Sequence, residues 1–155
     1  MKKAKIIVAA LMLLALTLSF AACNFGHIAD TNGDDDFTVE TIDDDEILTR
    51  TKYVAWLAKS SNNNGQYSVT VKKLSGVWQI ADLSMKGYGA AVLKTDMTVE
   101  SGNCRLVLVH NDKIVHDFNI QGQDSYVVTT SGNYYLKLVG ESAHVSKLNF
   151  SWQLA

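Results

Sequence analysis

The sequence predicts an all-β domain, an antiparallel sandwich or barrel of eight or nine strands, behind a leader and an acidic spacer. Three observations predict it. From residue 48 onward, apolar and polar residues alternate in short runs, the period-2 signature of half-buried strands. Clusters of Ser, Gly and Asn separate those runs at short intervals, as in sandwiches and barrels. No stretch after the leader sustains the 3.6-residue period of an amphipathic helix.

Residues 1–22 form the leader. Lys2, Lys3 and Lys5 make its start positive, Ile6 to Leu18 is almost unbroken apolar sequence, and Ser19-Phe20-Ala21-Ala22 narrows to small residues before Cys23. This is the pattern of a secretory signal peptide. The run is shorter than the roughly 20 residues a transmembrane helix needs. Its ending resembles the lipobox of bacterial lipoproteins, with Phe20 where those have an aliphatic residue. The resemblance implies cleavage before Cys23, a diacylglycerol on its thiol, and membrane lipid as the first partner. It places the protein on the extracytoplasmic face of a cell membrane or outer membrane. Asn24 stands where an Asp marks inner-membrane retention in Gram-negative lipoproteins.

Residues 23–47 read as a tether. Positions 24–46 carry nine acidic residues and no Lys or Arg, and nothing there is periodic. Such composition predicts an extended, disordered linker. The stretch from Asp30 to Asp36 invites a calcium-loop reading, which fails on spacing. Counted from Asp30, the sixth and twelfth positions are Asp35 and Thr41, where an EF-hand needs Gly and Glu.

Residues 48–155 form the β domain, whose Lys and Arg exceed its Asp and Glu by four. Strand runs are expected at Tyr53–Ala58, Gln66–Val71, Val77–Leu83, Ala91–Val99, Cys104–His110, Ile114–Ile120, Tyr126–Thr130, Tyr134–Val139 and Lys147–Leu154. Ser60 to Gly65 reads as a turn. In the Cys104–Ile120 hairpin, a three-residue turn or a bulge puts Cys104, Leu106, Leu108, Ile114, His116, Phe118 and Ile120 on one face. Cys104 has no disulfide partner once Cys23 is spent on lipid, and reads as a buried structural thiol. The segments Gly102–Val115 and Ser131–Gly140 resemble the closing half of jelly-roll sandwiches of the carbohydrate-binding-module kind. The resemblance implies a jelly-roll sandwich and carries no functional residue with it.

Catalytic chemistry finds little footing. No Gly-x-Ser-x-Gly elbow, phosphate loop or dinucleotide fingerprint occurs. His110 and His116 share a hairpin, but no third ligand is evident, so no metal or other cofactor is expected. The positive charge is too diffuse for a nucleic-acid stripe. Aromatic sugar binding is the sharpest option, because flat rings on a rigid sheet can stack on sugars. Trp152 shares its face with Leu148, Phe150 and Leu154, and Tyr134 with Leu136 and Leu138, so both read as core, whereas Trp56, Trp78, Tyr88 and Tyr135 are the candidate ligand-binding rings. The expected role is binding rather than catalysis, with a glycan or envelope polymer as ligand. The alternative is a protein-interaction or accessory subunit of an envelope complex; a small hydrolase comes third.

Overall fold

A computed structural model describes residues 42–154, apart from 64 and 88. The leader, Cys23, the acidic stretch up to 41 and Tyr88 lie outside the described residues. A short helix, α1 (Asp44–Thr49), precedes seven antiparallel strands: β1 (Tyr53–Trp56), β2 (Lys59–Asn63), β3 (Gln66–Ser84), β4 (Ala91–His110), β5 (Lys113–Phe118), β6 (Gln121–Val128) and β7 (Asn133–Leu154). No described helix is long and apolar enough to cross a membrane.

Strands β3, β4 and β7 run for 19, 20 and 22 residues. Each is continuous but changes register at its middle, between Val69 and Gly76 on β3 and between Thr98 and Asn103 on β4. The changes line up across the three strands, so the sheet folds over one line. On one side of it, β2 is followed by 66–71 of β3, 145–154 of β7, 91–99 of β4 and β6. On the other, β1 is followed by 74–84 of β3, 133–143 of β7, 103–110 of β4 and β5. With the edge strands β1 and β2 set aside, the segments numbered along the chain order as 1-8-3-6 and 2-7-4-5. That is the strand order of a jelly roll, two Greek keys in two layers. The inner faces share one core, with Leu93, Met97, Leu148 and Phe150 from the first half and Leu106, Leu108, Leu136 and Leu138 from the second.

The antiparallel jelly-roll sandwich expected from the sequence is the fold, with its strands divided differently. Nine runs become seven strands because three pairs fuse through the bends and one strand is added. The addition is β2, whose Lys59-Ser60-Ser61-Asn62-Asn63 reads as a turn by composition yet pairs with Gln66–Thr70. It is exposed throughout, so it needs no apolar residues. The β4–β5 hairpin closes with a two-residue turn, Asn111 and Asp112, both left-handed at φ 48° and 54°. The expected bulge is present, as a register shift between Leu108 and Val109. It keeps Leu106 opposite Phe118 and Leu108 opposite His116, but sets Ile114 opposite Val109 on the outer face, off the expected one.

The expected boundary at residue 47 falls inside α1, which docks on the outer face of the second half. Ile47 is fully buried there among Val77, Val107, Val109 and Val139. The Asp43 carboxylate caps the helix by accepting from the Glu46 N–H at 2.8 Å. Asp44, Asp45 and Glu46 suit the positive N-terminal end of the dipole. At the other end Lys137, itself 3% exposed, donates to the carbonyls of Ile47, Leu48 and Arg50 at 2.7, 3.1 and 3.3 Å. These are orphan acceptors that a helix end must satisfy. Burial holds the Lys137 ammonium below the usual lysine range. Glu141 accepts from the Ile42 N–H at 2.8 Å, and Arg105 bridges Asp44 and Asp117 at 2.7 and 2.8 Å.

Two variants test this construction. Phe150→Ala removes a ring from the shared core and should cost about 3–5 kcal/mol in denaturant unfolding. Lys137→Met keeps the bulk but strips the donors. It should speed amide exchange across Leu48–Arg50 and cost about 1–3 kcal/mol, the penalty of orphaned buried acceptors. The β4 and β7 amides should stay protected.

Candidate functional site

The outer face of the first half is open. Alternation sends every second residue of its strands outward, and the register aligns them in two rows. One row runs Ser61, Ser68, Asn149, Asp96, Gln123; the next runs Asn63, Gln66, Ser151, Lys94, Ser125. All ten side chains are polar. They line a groove of about 900 Å³. Five strands spaced about 4.8 Å apart make the rows roughly 19 Å long. Beneath lie Tyr67 and Phe150, stacked with centroids 4.5 Å apart and planes 2° apart, a stiff floor. Among the described residues, Asp96 alone of the ten has its side chain bound by another, in an ion pair with Lys147 at 2.8 Å. The other nine face the groove with donors and acceptors to offer.

Asp124 lies between Gln123 and Ser125 on β6 and, as the register partner of the buried Thr95, turns its carboxylate away from the two polar rows. It accepts from the backbone N–H of Asn119 at 2.9 Å and of Ser125 at 2.7 Å, and faces His116 Nε2 at 3.4 Å. The Asn119 N–H above all, then the Ser125 N–H and His116, hold its carboxyl below the usual range against the opposing effect of burial. It is therefore an anchored acceptor near neutral pH and no proton donor.

The rings singled out in the sequence lie elsewhere and do not converge. Trp56, on edge strand β1 of the second half, is 63% exposed. Trp78 is half-buried against the core and stacks on Tyr53 at 5.0 Å and 20°. Tyr135 was expected in the open beside Lys137, but α1 covers that face and both pack beneath it. Trp152 and Tyr134 belong to the core, and the indole Nε1 of Trp152 finds no acceptor there. His110 and His116 have separate partners. His110 stacks on Tyr134 and donates from Nδ1 to the Asn133 carbonyl at 2.9 Å. His116 stacks on Tyr126 at 4.4 Å. Among the described residues no three His, Cys, Asp or Glu side chains group as metal ligands do. Burial pushes the Cys104 thiol up to about 12, which leaves no thiolate for nucleophilic attack at neutral pH.

The polar rows were missed as a site, although their signal was present. Lys94 and Asp96, Gln66 and Ser68, and Asn149 and Ser151 all alternate with core positions. The alignment of these pairs depends on a register between strands some 85 residues apart, as for Gln66 and Ser151.

No family model matches the sequence, and no curated protein matches it. A solved structure described as "CBM4 structure and function" aligns with 74% of this chain and 100% of its own, at 6% identity and a TM-score of 0.33. The jelly-roll assignment rests on the strand order above and not on this likeness.

Asp124 gives β6 a pH signature. Its carboxyl, held below the ordinary 3.8, contributes stability in full above that value and loses it as pH falls through the lowered one. The protection of the Asn119 and Ser125 amides, taken relative to the intrinsic exchange rate at each pH, should fall on acidification below about pH 4. Asp124→Asn should lower that protection at neutral pH and leave it unchanged with acid.

Proposed function

We propose that this chain is a non-catalytic binding module, displayed outside the cell from a lipidated Cys23, that seats a glycan or envelope polymer in the groove of the first half. The observation that carries the reading is the pair of polar rows. A sugar hydroxyl both donates and accepts, and so do the amides of Asn63, Gln66, Gln123 and Asn149 and the hydroxyls of Ser61, Ser68, Ser125 and Ser151. Eight such positions fixed on strands are preorganised, so little ordering cost falls on binding. The groove's length suits several linked units better than one. Its charged pair, Lys94 and Asp96, is balanced, with Asp96 already tied to Lys147. This favours a largely neutral polymer. The lipid anchor draws its support from the leader and Cys23.

Catalysis finds no support in the same groove. Glycoside cleavage uses two facing carboxyls, one of them a proton donor. Asp96 is engaged by Lys147, and Asp124 is held ionised by backbone N–H groups.

Glycan-array screening followed by calorimetry tests the reading. At least one neutral oligosaccharide should bind, and Gln123→Ala with Asn149→Ala should weaken it by about tenfold or more, at ~0.5–1.5 kcal/mol per lost hydrogen bond. Trp56→Ala should leave that affinity unchanged. Binding lost on Trp56→Ala and indifferent to the groove pair would move the site to the rings. An array without a hit would remove the glycan.

A further inference from the structure

The corner where β1 passes into β2 carries a second surface, on the opposite half from the groove. Strand β1 ends its half of the sheet, with β3 on one side and no described strand on the other. Val54, Trp56 and Leu57 follow one another there at 63, 63 and 57% exposure. Leu57 turns the chain in the left-handed region, at φ 49°. A leucine gains nothing from that conformation, which favours glycine or asparagine. It holds an aliphatic side chain out at the tip of the corner.

The charge along this stretch of the chain is of one sign. Residues 50–81 contain five Lys and Arg and no Asp or Glu. Arg50 is tied to Glu46 of α1. The exposed Lys52 and Lys59 flank the apolar stretch along the chain, and the exposed Lys72 and Lys73 sit on the bend of β3 beside it. Lys73 is the register partner of Trp56, so the two side chains leave the same face. Lys59 pairs with Thr70, two residues from Lys72.

We infer that this corner is a docking surface for an anionic phospholipid bilayer. An indole, a leucine and a valine ringed by lysines have the composition of an interfacial anchor. The apolar side chains enter the headgroup boundary, and the ammonium groups of Lys52, Lys59 and Lys72 meet phosphate. A second copy of the chain is the poorer occupant, because it would bring the same positive charge to the contact. A four-residue strand is also far smaller than the roughly 20–30 residues a side of a stable protein interface. The inference stands apart from the groove and from the lipid on Cys23. It states that the domain itself touches the membrane, and which corner does so.

Tryptophan emission from the full chain reads this directly. Trp56, Trp78 and Trp152 all lie in the β domain, so residues 1–41 contribute nothing to the signal. The chain is mixed with vesicles of brominated phosphatidylcholine, with or without one-third phosphatidylglycerol. Emission should be quenched strongly on the anionic vesicles and several-fold less on the neutral ones. Trp56→Ala should remove most of the quenching. Lys59→Glu with Lys72→Glu should raise the lipid needed for half-quenching by about tenfold, as should added salt. Asn149→Ala should change nothing. Equal quenching on both vesicles, or quenching that survives Trp56→Ala, overturns the inference. So does a self-association in lipid-free buffer that Trp56→Ala abolishes, which would assign the corner to a second copy.

Discussion

Everything in this domain depends on the line along which its three long strands bend. Backbones come too close there for side chains. A Cβ on Gly102, whose φ is +76°, would lie 2.4 Å from the Ser142 carbonyl oxygen. One on Gly76, at φ +107°, would meet the Lys52 carbonyl oxygen at the same distance. These two glycines let β4 and β3 turn without breaking their hydrogen-bond ladders against β7. Because all three bend together, one sheet supplies both layers of the sandwich. Its apolar face closes on itself, and Leu106, Leu136 and Leu148 meet at zero exposure.

Folding a sheet in this way leaves two outer faces with different needs. The first half presents serines, amides and a balanced charge pair, all content in water. The second presents Val77, Val107, Val109 and Val139, which water would penalise. Helix α1 answers that need, and the cation in its seat explains how six residues hold a helical form that is marginal in isolation. Lys137 does the work of a C-terminal cap from across the interface. The difference between the faces also assigns their roles. The covered face is structural, and the bare polar one is where the proposed ligand would sit.

Much of this was legible in the sequence. The alternation over 91–99 sets Ala91, Leu93, Thr95, Met97 and Val99 on one face; the first four are buried and Val99, at the bend, is half-buried, while Leu148 and Phe150 lie on the core side of β7. Glycine-led turn chemistry misled at two places. Ser75-Gly76 and Ser101-Gly102 read as strand ends because local composition cannot distinguish a turn from a bulge inside a continuous ladder. The helix was invisible for another reason. Its acids match a linker's, and one buried isoleucine makes no periodicity. Tyr135 and Lys137 occupy outward positions on β7, and their burial depends on a segment almost 90 residues earlier. The groove suffered the same way. Each strand announced its polar residues, but only the pairing of distant strands turns them into rows.

The seating of α1 also has a mechanical meaning. A pull on the chain from the N-terminal side of Ile42 arrives first at the helix. There it meets the Glu141 carboxylate, the Arg105 bridge, the Lys137 ammonium and the pocket of Ile47, contacts spread over the three inner strands β3, β4 and β7. These must shear together before any load reaches β1, a four-residue edge strand that would otherwise unzip from β3 one pair at a time. The helix thus acts as strain relief, like the clamp on a cable. It passes tension into the middle of the sheet rather than its weakest margin.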